Sequence, residues 1–243
     1  RDINLIDLPI SNGAKTVVTE TFILDEIGKG AKMHISTTFE GQNADLNRSL
    51  ISIHDLRSIQ KNYLDYYSEI FPSIKLEDGW EIHDDRNLNK INIDEFYSIE
   101  DLWTADENDE NLIMAEFYPL LIVDNVQVAQ SPKRTMPYYI EFPVNIEHKT
   151  IIHVPEDWPV TPSALSIDKE AFLYKFSMDS KDQIITISHN YKTLKPYIDA
   201  DNFEEFYRDH QCILENLTHY LTYDRGVANA SFEFSWFIGV FGS

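Results

Sequence analysis

The chain has 243 residues, 43% of them hydrophobic and 13% aromatic, which is enough apolar material to pack one large domain or two ordinary ones. Its 41 acidic residues against 20 basic ones leave a formal charge of −21. A field of that sign repels phosphate backbones, and Lys133-Arg134 is the nearest approach to a basic cluster, so nucleic acid is not expected as a partner.

A single cysteine, Cys212, rules out an internal disulfide and a cysteine-rich zinc site. No apolar run reaches the roughly 18–20 residues that a membrane span needs. The sequence begins at Arg1 without a signal-peptide pattern and reads as a processed product or an excised piece of something longer. The apolar stretch Phe232 to Phe241 reads as a last strand, with the start of a segment that continues past the C-terminus as the alternative.

Thr16 to Leu24 is rich in Thr, Val and Phe and predicts a strand. Gly28-Lys29-Gly30 supplies a turn, and Ala31, Met33, Ile35, Thr37 and Phe39 then alternate with polar neighbours, so the unit reads as a hairpin. The period next lengthens. Leu46, Leu50, Ile53, Leu56, Ile59, Tyr63, Tyr67 and Ile70 fall on one helical stripe expected to pack the core, with a break near Ser52 to Asp55 and a stop at Pro72.

Strands are expected over residues 74–82, 90–99 and 112–118, the last two separated by a loop from Trp103 to Asn111. From Pro132 the chain is punctuated by proline, which marks edges and corners between strands. Alternating patterns at Tyr138–Val144, Thr150–Val154, Phe172–Met178 and Ile185–Tyr191 predict further strands. Asp201 with Glu204 signals a final helix whose stripe is Phe203, Phe206, His210, Ile213, Leu217 and Tyr220. Residues 16–71 and 171–223 share a strand, turn, strand, helix plan, read either as a duplication or as a common local solution. A soft boundary near Gln130 divides the chain into 1–130, a ββα unit with added strands, and 131–243, a proline-punctuated β half ending in a helix.

Recognisable chemistry is sparse. Cys212 falls well inside the last predicted helix, and His210 and His219 sit two and seven positions away, where neither is well placed as its base. There is no Gly-x-Ser-x-Gly elbow, phosphate loop or dinucleotide fingerprint. The eight histidines form no His-x-x-x-His pair, and Asp106 to Asn111 lacks calcium-loop spacing, so no metal and no cofactor are expected. Trp80, Trp103 and Trp158 are the candidate ligand-binding residues, able to line a sugar or peptide groove, although core or rim packing accounts for each as well.

One set of short motifs keeps a familiar order. It runs Gly41-x-x-Ala44-Asp45-x-x-Arg48, Asn62-Tyr63-Leu64-Asp65-Tyr66-Tyr67 to Phe71-Pro72, and Asp84-Asp85-Arg86-x-x-Asn89 before Trp103. Pro137 with Pro143, Val154-Pro155-Glu156-Asp157-Trp158 and Ala171-Phe172 follow. In this order, from about residue 16 to 223, the chain resembles the non-catalytic domain of unknown function that accompanies the transglutaminase-like (papain-fold) core in bacterial envelope proteins. In that family the chemistry belongs to a core with Cys, then His and Asp. Cys212 has only 31 residues after it and no His then Asp at a plausible distance, so no catalytic residue carries over.

The resemblance implies a periplasmic or envelope location, a transglutaminase-like core as partner in the same polypeptide or complex, and a membrane tether beyond the C-terminus. The expected architecture is α+β and mainly β, with antiparallel sandwich-like layers and helices packed on one side. The expected function is a non-catalytic accessory or scaffold module that positions or shields the catalytic core. An independent peptide- or glycan-binding β module is the alternative, and an enzyme of acid/base type would need a pocket holding two carboxylates of raised pKa.

Overall fold

A computed structural model describes residues 14–128 and 131–234. The apolar tail from Ser235 onward lies outside the described residues, as does Gln130 at the expected boundary. The first part of the chain gives β1 (Lys15–Ile23), β2 (Ala31–Glu40), α1 (Gln42–Ile53), α2 (Leu56–Ser68), β3 (Ile74–Leu76), β4 (Glu81–Asp85), β5 (Lys90–Ile99), β6 (Trp103–Ala105), β7 (Leu112–Phe117) and α3 (Leu120–Val126). The second gives β8 (Tyr138–Tyr139), β9 (Asn145–His153), β10 (Ser163–Asp168), β11 (Phe172–Lys181), β12 (Ile184–Thr193), β13 (Tyr197–Ile198), α4 (Phe203–Leu214), β14 (His219–Asp224) and β15 (Asn229–Phe234).

Among the described residues the fold is mainly β with four α-helices, in agreement with the α+β expectation. Its centre is a nine-stranded sheet in the order β10-β11-β12-β9-β1-β2-β5-β3, with β4 also paired to β5. The pairing is antiparallel except at β1 and β9, which run parallel from Thr16↔Ile146 to Ile23↔His153. A four-stranded sheet, β15-β14-β7-β6, and the short β13-β8 ladder complete the strands. Strands from either side of residue 130 share the two larger sheets, so the halves are interleaved in space.

Alternation decides which face is covered. Val18, Phe22, Met33, Ile35, Ile91, Ile93, Ile146, Ile152, Ile185 and Ile187 turn to one face of the large sheet and are buried. The small sheet and the helices cover that same face. Phe22 meets Phe117 of β7 at 4.9 Å between ring centroids and Phe71 after α2 at 5.9 Å, while Phe172 of β11 meets Phe206 of α4 at 5.6 Å. The opposite face carries Thr19, Thr21, Ser36, Thr38, Asn92, Asp94, Lys149, Ser188 and other polar side chains.

Several expectations need correction. The stripe expected to pack the core through both early helices does so only in α2. In α1, Leu46, Leu50 and Ile53 are 59%, 39% and 72% exposed, and the inward side is Ala44, the Arg48 stem and Ile51. The expected strand 74–82 is two strands, β3 and β4, because Asp78-Gly79 breaks the ladder. The last helix ends at Leu214, with the Asn216 amide donating to the Cys212 carbonyl, and Tyr220 belongs to β14, where Tyr220, Thr222 and Tyr223 favour extended chain. Helix α3 was not expected. Its signal is Pro119 placed just ahead of Leu120, a common helix start.

Gly30 marks the tightest approach in the first hairpin, since a Cβ there would meet the Ile99 carbonyl oxygen at 2.1 Å. Gly79 has open space around it. Gly30→Ala is therefore expected to cost about 1–3 kcal/mol, from a backbone clash that must be relieved by movement of β5. Gly79→Ala is expected to stay within about 0.5 kcal/mol, both read by urea denaturation.

Candidate functional site

Residues of two of the motifs that carry the resemblance, Gly41 to Arg48 and Asp84 to Asn89, converge. Gly41, with φ of 59°, starts α1, and its N–H donates to the Asn89 carbonyl at 3.0 Å. Asn89, itself at a φ of 49°, returns its side-chain amide to the Gly41 carbonyl at 3.2 Å. Between them sits Arg48. Its Nε donates to Asp84 Oδ1 at 2.8 Å, its Nη1 to Asp45 Oδ1 at 2.9 Å and to Asn89 Oδ1, and its Nη2 to the Lys90 carbonyl at 3.3 Å. One guanidinium therefore clamps α1 to the turn between β4 and β5, with Ala44 fully buried beneath it. Sequence spacing pairs Asp45 with Arg48 along a helix, whereas the link to Asp84 and Asn89 needs the fold.

The clamp fixes the orientation of α1. Its inner face is held to β2 and β5, so Leu46, Leu50 and Ile53, spaced four and three apart, point the other way into solvent. Asp45 and Arg48 are the charged residues of this helix, and they pair with each other. In a chain with 61 charged residues (41 acidic, 20 basic), the outer face of α1 is an uncharged apolar ridge.

The three tryptophans do not share one surface. Trp80 is buried and meets Tyr63 of α2 edge-on at 4.8 Å, in a small cluster with Ile59 and Ile93. Trp158 is buried, its Nε1 donating to the Ser231 carbonyl of β15 at 2.7 Å. The half-buried Trp103 lies 6.1 Å from Trp158, which is also 6.1 Å from Tyr223. A cleft of about 210 Å³ opens beside Trp158, lined by Val154, Asp157 and the β11–β12 turn. It reaches Trp158 but neither of the other two.

A row of buried titratable groups crosses the covered face of the large sheet. Glu20 of β1 and His148 of β9 meet at 3.2 Å (Oε2 to Nε2), an ion-pair distance without hydrogen-bond geometry. Next to His148 in the ladder is His189 of β12, whose Nδ1 contacts the Tyr174 hydroxyl at 2.9 Å. Burial drives the His189 imidazole well below its ordinary range, with His219 and His148 adding to the effect. Two strands to the other side of Glu20 lies Glu95, whose Oε2 accepts the Tyr97 hydroxyl at 2.6 Å. Burial raises its carboxyl from 4.5 to about 7 against the Tyr97 bond, with Glu20 and Asp94 assisting.

This row was not legible in the sequence, because its members are scattered along the chain and meet only through strand register. Glu95 lies under α2, away from the cleft beside Trp158. Among the described residues no group of three His, Cys, Asp or Glu side chains is placed to hold a metal ion. The Cys212 thiol is pushed up by burial, then by Glu215 and Asp209, which keeps it in the unreactive protonated form. Among the described residues, no helix is long and apolar enough to cross a membrane.

Two consequences are measurable. Arg48→Ala leaves Asp84, Asn89 and the Lys90 carbonyl without their shared donor, and is expected to cost about 2–3 kcal/mol in urea unfolding, with Arg48→Lys recovering less than half. Acid stability depends on buried neutral histidines. Burial lowers His210 and His219 to about 4 in the folded chain, so their contribution is present above about 6.5 and is lost as pH falls through 4. Unfolding free energy is expected to decline over that window, and less steeply in His210→Gln.

Residues 111–217, which run from the start of β7 through α4, match the model of a family described as a domain of unknown function with solved structure, DUF3858. The Arg48 clamp and the ridge of α1 lie outside the matched stretch. No curated protein and no solved structure matches the chain. What the comparisons give is similarity over this stretch to a domain of unknown function.

Proposed function

We propose that the protein is a non-catalytic accessory module that docks against, and positions or shields, the transglutaminase-like core of a bacterial envelope protein. The observation that carries this reading is the apolar ridge of Leu46, Leu50 and Ile53 on a helix whose other side is clamped to the sheet. Three large aliphatic side chains facing water cost stability in the isolated module, and a rigid ridge loses little entropy when a partner covers it. The strongly acidic remainder of the surface keeps the module soluble and disfavours pairing with a second copy of itself.

The alternative, an independent peptide- or glycan-binding β module, gains support from a different place than the tryptophans. On the open face of the large sheet, His34 stacks on Phe96 at 4.7 Å and its Nε2 lies 2.9 Å from Asp94 Oδ1. Thr38 donates to Asn92 Oδ1 at 2.7 Å in the same ladder. An aromatic plane beside fixed polar groups suits an extended polar ligand.

The docking reading predicts that Leu46→Asp with Leu50→Asp weakens binding to a separately expressed transglutaminase-like core at least tenfold in titration calorimetry. The unfolding midpoint is expected to stay unchanged, because both side chains already face solvent. Binding that survives this double variant but is lost in His34→Ala would overturn docking through α1 and support the open sheet face.

A further inference from the structure

Glu95 is an unusual choice for the centre of a covered sheet face. It is 1% exposed, its Oε2 takes the Tyr97 hydroxyl, and its Oε1 has no hydrogen-bond partner. As a neutral acid it fits there at small cost. As an anion it needs donors on Oε1, and no protein group supplies one.

The groups around it come from three directions. Tyr97 and Asp94 lie on its own strand, Glu20 lies on β1, and Tyr63 and Tyr67 reach down from α2. Ile35 of β2 stands between Glu95 and Glu20 in the ladder. Trp80 closes the site beside Tyr63 and Tyr97, its Nε1 buried without a well-formed hydrogen bond. No cation stands among these neighbours. Glu20 has its own partner in His148, so a charge on Glu95 is opposed from β1 and balanced from nowhere.

The element over Glu95 is anchored by few fully buried side chains. Helix α2 has thirteen residues, of which only Ile59 and Tyr67 are buried, and its N-cap residue Asp55 makes no capping side-chain bond. Its ring and polar ties to the rest include the Tyr67–Tyr97 contact at 5.6 Å, the Tyr63–Trp80 contact and a bond from the Tyr66 hydroxyl to Asp124 of α3 at 2.8 Å. Ile59 packs on Trp80 and Ile93, and the partly buried Leu56, Tyr63 and Leu64 rest against the core. A helix with so few buried side chains opens at low free energy relative to the sheet beneath it.

We propose that helix α2 is a proton-gated cover over the Glu95–Tyr97 pair, closed while the Glu95 carboxyl holds its proton and loosened when that carboxyl is ionised. Lifting α2 admits water to Oε1, the carboxylate oxygen that the closed form leaves without a hydrogen-bond partner. The direction follows from linkage. The closed form holds the proton up to about pH 7 and the open form only to the ordinary 4.5, so opening is favoured as pH rises through that window. The device is independent of what α1 docks against.

Hydrogen exchange of the full chain, followed by mass spectrometry over residues 56–68 and corrected for intrinsic rate, tests it. With those two proton affinities the opening constant of α2 is expected to rise about tenfold between pH 6 and pH 8.5. In Glu95→Gln it is expected to stay at the low-pH level throughout. Tyr97→Phe removes the bond that favours the carboxylate, so the rise is expected to move to higher pH. A flat wild-type profile, or a rise that persists in Glu95→Gln, overturns the proposal. Should Glu95→Gln not fold, Tyr97→Phe decides alone, and an unmoved midpoint overturns the proposal.

Discussion

The parallel pairing of β1 with β9 holds the large sheet together. Four strands on one side, β9, β12, β11 and β10, form an antiparallel run, and β1, β2, β5 and β3 form another. The two runs meet at this one ladder, eight residue pairs long, formed by strands more than a hundred residues apart. A parallel pair has slanted hydrogen bonds and no hairpin to set its register, so side chains must set it. On the covered face that register places Val18 opposite His148, Glu20 opposite Thr150 and Phe22 opposite Ile152. A slip of β1 by one residue would turn Glu20 to the open face, leave His148 behind on the covered face and bring Thr19 and Thr21 into the core.

The same register explains how the covered face accommodates ionisable side chains at all. Glu20 and His148 are diagonal neighbours across the seam, and each is the nearest available partner for the other. Buried pairs of this kind add little net stability over apolar residues of the same size, because desolvation offsets most of the attraction. They are costly to break one member at a time, and a one-residue slip separates them and leaves the buried member without its partner. Specifying the junction between the two runs is therefore the role that the energetics allow for this pair. Glu95, two strands away, has no such counterpart, which is why its burial shows up as a displaced proton affinity.

Much of the secondary structure could be read from period alone. The β1–β2 hairpin, β5, β7, β11, β12 and the break between α1 and α2 all follow from alternation, turn residues and a capping position. The order of sheets could not, because the decisive contact joins Thr16 to Ile146 and leaves no local mark on either segment. The tryptophans illustrate the opposite difficulty. Each was a reasonable candidate by residue type, but Trp158 has its ring nitrogen bonded to β15 and Trp80 is sealed beneath α2. Residue type records that a side chain is large and amphipathic, and the fold decides whether it faces water.

Helix α1 shows how far periodicity can mislead about side while being right about shape. Leu46, Leu50 and Ile53 form a genuine helical stripe, and ordinary amphipathic logic assigns such a stripe to the core. The sheet beneath α1, however, meets Ala44 and the flat, multiply bonded guanidinium of Arg48. A small residue lets the helix come close, and a guanidinium with acceptors on three sides holds it there at a fixed rotation. Rotating α1 to bury its leucines would break the bonds to Asp84, Asn89 and the Lys90 carbonyl together and lift Ala44 off the sheet. The polar clamp holds the inner face, and the apolar ridge is left outward. A surface arrived at in this way is rigid before any partner arrives, and that rigidity distinguishes it from a few stray exposed leucines.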